Sequence, residues 1–515
     1  MPILTSQLFQ IGAAFRNRFR RRAALVSTAG FAGLRTGKGL RRVRPLVVLI
    51  LGFPLVSACV SFPGAPSLSG LAPGAGSSIG QREHPRVVTA YGGRYRDKDV
   101  EALLDNVTER LVAVSSNPRQ NYRLTILNSP VVNAFALPGG YLYVTRGLLA
   151  LANDTSEVAA VLSHEMAHVT ENHAFQRQQR AQEAKLTNKV MTDAITDEME
   201  AQIALSSSQI SLASFSRGQE LAADRIGVEM MVRADLDPYA AARFLTSMGR
   251  FGRFRAESLS TNANSPNFLA SHPATPARIS QVVQTARSFN VSNSERTAER
   301  ARYLAAIDGL TFGDDPSEGY VRGRSYLHPK LGFAFELPSG YTLENSSDAV
   351  LAADKNGTAM RFDGIQIPAQ LSLVDYMGSG WIGGLDPASI QARSINGLEA
   401  ATANARAKGW RFRIVVVRLK DATYRFLFAN ADETTDLETD ADQTLANFRR
   451  LGRSEKARLK PLSVKIMQVR RGDTVASMAA RMQGVDRRHK LFLVLNGIQE
   501  GADLRPGSLV KIVVD

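Results

Sequence analysis

The chain has 515 residues, 44% hydrophobic and 22% charged, with a formal charge of +15 and a single cysteine. The length exceeds one ordinary core, the composition excludes a wholly disordered or collagen-like chain, and the lone Cys59 excludes a disulfide framework or a cysteine-based zinc ribbon. Residues 1–58 hold ten Lys/Arg and no acid, which leaves +5 for the rest of the chain and gives little support to a nucleic-acid partner.

In residues 1–58, Arg41, Arg42 and Arg44 precede an apolar run from Leu46 to Val56. The run is too short to cross a bilayer as a helix and fits the apolar part of a secretory signal. It ends in Leu55-Val56-Ser57-Ala58-Cys59, which resembles the lipobox of bacterial lipoproteins. That resemblance implies lipidation of Cys59, a lipid-anchored periplasmic protein and, with Val60 instead of aspartate, the outer membrane. A mitochondrial presequence is the rival, because the segment is Arg-rich and acid-free; a short buried helix with an incidental thiol is another. Residues 59–83 read as a Pro/Gly/Ser tether, about 20 flexible residues spanning roughly 25 Å.

Residues 155–174 are helix-forming, with Asp154 and Glu157 predicting a capping box. His164-Glu165-Met166-Ala167-His168 is H-E-x-x-H, and the i, i+4 spacing puts both imidazoles on one helical face, able to share a zinc ion. Glu165 can then reach a water instead of the metal. A catalytic zinc wants a third protein ligand. Ser216 to Asp224 begins another helix in which Glu220 and Asp224 are again i, i+4; Glu220 is the natural third ligand and Asp224 a partner for a ligand imidazole. Alone, the Glu220/Asp224 pair reads as a solvated acidic face, since acidic pairs at this spacing are common. Arg217, one turn earlier, is expected to steady a carboxylate or a reaction oxyanion. His173 is read as lying off the ligand face. The stretch Gln176–Ala213 reads as a lid, a membrane-touching hairpin or a peripheral helical pair.

The H-E-x-x-H helix, the S-R-x-x-E-x-x-A-D-x-x-G segment ending at Gly227, and Asn133-Ala134-Phe135-Ala136-Leu137-Pro138-Gly139-Gly140 together resemble family forty-eight of the metallopeptidases, in its BepA-like periplasmic branch. The resemblance covers about residues 85–290. It implies a mainly α-helical gluzincin-type domain over 84–290 with one Zn2+ per chain, held by His164, His168 and Glu220, and with Glu165 as general base. It also implies that Asn133, Ala134, Phe135 and Ala136 form an edge strand that pairs with an extended or unfolded protein substrate. Thr275 and Pro276 start a helix just after His272; by similarity to that branch, His272 is a candidate inhibitory fourth ligand, the alternative being a loop histidine that caps local structure.

Residues 291–319 read as a polar linker. Leu331–Leu337, Trp410–Leu419 and Tyr424–Ala429 read as strands and 437–449 as a helix, giving an α+β domain over 320–453. Asp354, Asp363 and Asp421 are read as turn residues, and no catalytic constellation stands out. Residues 462–515 resemble a βααβ LysM-like module, which implies a peptidoglycan partner or a structural docking role. The expected activity is zinc-dependent endopeptidase action on unfolded or misassembled envelope proteins; the alternative is a peptidoglycan-associated lipoprotein that acts as a chaperone or assembly factor.

Overall fold

A helix over Lys98–Val114 opens the part that carries H-E-x-x-H: Asp97 caps it by accepting from the backbone N–H groups of Asp99 and Val100, and Val100, Leu104, Val107 and Leu111 form its buried stripe. The computed structural model describes residues 76–177, 215–257, 268–291, 297–345, 349–407, 409–420 and 422–515. The leader, Cys59, most of the tether and the stretch 178–214 lie outside them. The last residues of the expected tether are helical, within Gly76–Ala90.

Three strands follow: β1 (Arg123–Leu127), β2 (Ala134–Leu137) and β3 (Tyr141–Thr145). Their order is β1-β3-β2, with β1 parallel and β2 antiparallel to β3. β2 is therefore an edge, and it carries Ala134, Phe135 and Ala136. The β2–β3 turn needs glycine: Gly140 has φ +84°, and a Cβ there would collide with the Asn121 carbonyl. The H-E-x-x-H helix, Thr155–Thr170, is buried on every side from Thr155 to His168, as a helix at the centre of a core must be. Glu157 departs from the predicted capping box by one residue. Asp154 accepts from the Glu157 N–H at 2.8 Å, but the Glu157 carboxylate accepts from Asn153.

The segment expected as a linker is largely structural. Within 291–319, Thr297–Ala306 is a helix, and Tyr303, Leu304, Ile307 and Leu310 are fully buried in the core around the H-E-x-x-H helix. Arg302 is exposed on the outer face of that helix, while Glu299 accepts from Ser156 and Arg300 donates to the Asn153 carbonyl, so polar residues that look like a connector partly serve packing contacts. Tyr303 donates its hydroxyl to the Leu149 carbonyl at 2.6 Å.

β4 (Thr311–Phe312) leads to the sheet-rich part. There β5 (Tyr320–Arg322), β6 (Ser325–His328) and β7 (Phe333–Glu336) form an antiparallel meander. A seven-stranded sheet follows, built from β8 (Thr342–Asn345), β9 (Val350–Ala353), β10 (Ala359–Ile365), β11 (Gln391–Ile395), β12 (Leu398–Ala407), β13 (Trp410–Leu419) and β14 (Ala422–Asn430). Its order is β11-β12-β13-β14-β10-β9-β8. Phe333, Phe335, Phe362, Phe426, Phe428 and Phe448 fill the core between sheet and meander. A helix, Leu437–Ala446, and β15 (Arg449–Arg450), paired to β7, complete this part. Asp354 is a turn residue, accepting from Asn356 and Thr358. Asp363 is not: it is buried in β10 and gripped by Arg361 and by both prongs of Arg425. Asp421 lies outside the described residues.

A short helix, Arg453–Arg458, precedes β16 (Leu462–Gln468). Helices Val475–Ala480 and Arg488–Asn496 and then β17 (Leu509–Val514) complete a β-α-α-β order. β16 also pairs with β4, so the sheet reads β17-β16-β4. The unit is joined to the core around the H-E-x-x-H helix. Lys511 is fully buried, and its Nζ donates to the carbonyls of Ala150, Leu151 and Ala152 at 2.8, 3.1 and 2.6 Å. Those carbonyls end the helix Arg146–Leu151 and would otherwise be orphaned in the core.

Candidate metal centre

The second site helix, Arg217–Arg233, starts at a capping box: Ser216 Oγ accepts from the Gln219 N–H, and the Gln219 side chain accepts from the Ser216 N–H. It packs closely on the H-E-x-x-H helix because Gly227 has no side chain. A Cβ there would stand 3.1 Å from Ser163 Oγ and 3.3 Å from the His164 nitrogen. The close approach carries Glu220 and Asp224 to the two histidines.

His164, His168, Glu220 and His272, all buried, each offer one ligand atom, and these atoms lie within 4.8 Å of one another. His168 Nε2 is 3.0 Å from His164 Nε2 and 3.3 Å from Glu220 Oε1. His272 Nδ1 is 3.2 Å from His164 Nε2 and 2.9 Å from Glu220 Oε1. Ligands held in a tetrahedron at zinc-like bond lengths stand roughly 3.3 Å apart. Three imidazole nitrogens and one carboxylate oxygen at this spacing therefore fit a single small divalent ion. Burial and the neighbouring histidines lower the His168 pKa to about 2, which keeps it a neutral donor. Burial works against an ionised Glu220, but its bonds to His168 and His272 outweigh that and hold the carboxyl well below its usual range.

The remaining contacts orient these groups. His164 Nδ1 is 2.9 Å from Asp224 Oδ1. The contact with Asp224 and its charge overcome burial and raise the His164 pKa. Glu165, on the same helix, is buried and its pKa is raised by desolvation; its Oε1 lies 3.6 Å from His272 Nε2. The backbone turns at Asn172 (φ 52°), just past the helix, and brings His173 back so that its Nδ1 is 3.0 Å from Nδ1 of His168. His173 is thus outside the ligand set but in contact with one of its members, which helical-face reasoning missed.

Arg217 does not take part. It is exposed at the first position of its helix, where a side chain tilts back past the helix end. The guanidinium at this site belongs to Arg278, which sequence reasoning overlooked. Arg278 donates Nε and Nη2 to Asp224, each at 2.7 Å, and its Nη1 is 2.7 Å from Glu220 Oε2. It sits on the helix Pro276–Ser288, capped by Thr275 with Pro276 at the first position. The legible signal was an arginine in the first turn of a helix already recognised beside His272. His84 bonds Tyr143 and Arg94, and His489 bonds Glu500 at the surface.

Residues 98–286 match the profile described as Peptidase family M48. The chain is 27% identical over 367 residues to the "Beta-barrel assembly-enhancing protease" of Yersinia pestis, covering 66% of this chain and 72% of that one. It is 27% identical over 206 residues to the protein of the same name from Escherichia coli (strain K12), covering 37% and 40%. It is 28% identical over 211 residues to "Mitochondrial metalloendopeptidase OMA1" of Schizosaccharomyces pombe, covering 40% and 59%. The chain thus spans between 40% and 72% of the length of these relatives.

Proposed function

We propose that the chain is a zinc-dependent endopeptidase that cleaves unfolded or misassembled proteins of the bacterial envelope, with residues 98–286, which match the family M48 profile, as its peptidase domain. One observation carries this reading: His164, His168 and Glu220, from two distant stretches, converge with Glu165 beside them. His164, His168 and Glu220 are the ligands in this reading. When bound, zinc lowers the pKa of a water and polarises a peptide carbonyl. Glu165 takes the proton of the attacking water and delivers it to the leaving amine; a carboxyl pKa raised by burial suits both transfers.

Asp224 fixes the His164 ring through Nδ1, and Arg278 holds both carboxylates in place. The edge of β2, unpaired among the described residues and with Asn133 at its start, is the docking strand for an extended substrate, which favours loops and unfolded chains over compact ones. His272 stands at the fourth corner of the donor set and beside Glu165, so this reading makes it a latch that must swing away before substrate enters. The reading also includes a lipid anchor at Cys59, at the outer membrane, and contact of 462–515 with peptidoglycan.

The deciding experiment is Glu165→Gln. Casein degradation should fall by at least about a hundredfold while metal content and thermal stability stay unchanged. Full retention of proteolysis would overturn the assignment.

A further inference from the structure

The edge of the sheet-rich part formed by β7, β15 and the helix after them carries a concentration of cations. β15 pairs Arg450 with Phe333 of β7, and Leu451 donates its N–H to the Gly332 carbonyl at 2.9 Å. The following helix brings Lys456 over the same turn, so that a Cβ on Gly332 would collide with Lys456 Nζ. Arg453 is one helical turn before Lys456, and Arg458 and Lys460 follow. Lys330 lies in the turn itself. None of these six has an ion pair among the described residues. The two carboxylates of this edge are already matched, Glu455 to Arg449 and Glu336 to Arg324. At the tip of the turn, between the cations, Leu331 is 48% exposed, one of few large apolar side chains so placed among the described residues.

We propose that this edge is a second membrane contact, a basic surface that docks on anionic lipid headgroups with Leu331 entering the interface. Unmatched cations near such a surface each contribute about 1 kcal/mol, and an apolar tip gains by leaving water. A nucleic acid is the poorer partner, because the described residues of this edge present no exposed aromatic side chain on which bases would stack. The surface does not depend on the peptidase reading. It gives the sheet-rich part of the chain a role in setting how the body lies on the membrane.

The proposal is tested with the full chain carrying Cys59→Ser, so that no acyl chain contributes, in co-sedimentation with vesicles. Vesicles of phosphatidylcholine alone are compared with vesicles containing about 30% phosphatidylglycerol, at low and high salt. Arg450→Glu, Arg453→Glu and Lys456→Glu together should weaken partition onto anionic vesicles by about 10- to 100-fold, with unchanged thermal unfolding. Leu331→Ser should weaken it a few-fold. Leader charges are common to all these proteins and cancel in the comparison. A triple variant that partitions as the parent does overturns the proposal, as does a parent that prefers a single-stranded oligonucleotide to the anionic vesicles.

Discussion

Arg278 and Asp224 form a two-pronged ion pair, both contacts 2.7 Å, sealed beneath the histidines and 3% and 7% exposed respectively. The third guanidinium nitrogen reaches Glu220. One cation therefore serves both Asp224 and Glu220. Arg278→Ala removes that shared partner from the core and should cost about 3–5 kcal/mol, read as a fall in unfolding midpoint. Arg278→Lys should recover only part of the loss, since an ammonium cannot reproduce the fork.

His272→Ala removes the group at the fourth corner and the contact to Glu165. Proteolysis of a casein reporter should rise severalfold, with metal still bound by the remaining three donors. Unchanged or lower activity in a folded variant would refute the latch.

Lys511 satisfies three carbonyls at the end of Arg146–Leu151, two residues before the cap of the H-E-x-x-H helix. Lys511→Ala strands those carbonyls, and the expected loss is about 2–4 kcal/mol in denaturant unfolding. The same variant should weaken protease resistance of 462–515 and of the site helix together, because the two are joined there. Separate unfolding transitions in the parent would contradict that joint behaviour.

His328 is buried behind the basic turn, and its Nδ1 accepts from the Leu331 N–H at 3.3 Å. Burial, aided by Lys330, lowers its pKa from 6.5 to about 4. The neutral form is favoured in the folded state, so the unfolded chain binds the extra proton between these values. Stability from this site is therefore present above pH 6.5 and lost as pH falls towards 4, by on the order of 1–3 kcal/mol. Exchanging His328 for Gln should flatten the stability profile across that window; an unaltered slope would count against the assignment.

Local chemistry was written plainly in the chain. The spacing of His164 and His168, the helix starts at Asp154 and Thr275, and the strand Trp410–Leu419 each depend on residues a few positions apart, and sequence spacing fixes those relationships directly. Positions that depend on distant partners were not legible. Arg217 was expected at the carboxylates and Arg278 is there, because only the packing of three helices decides which guanidinium is enclosed. Residues 291–319 looked like a connector because half of a helix's surface is polar whether or not its other face fills a core. Burial of Asp363 and Lys511 likewise follows from strands and segments that meet only in three dimensions, where a buried polar group is tolerated only if remote partners are brought to bond it.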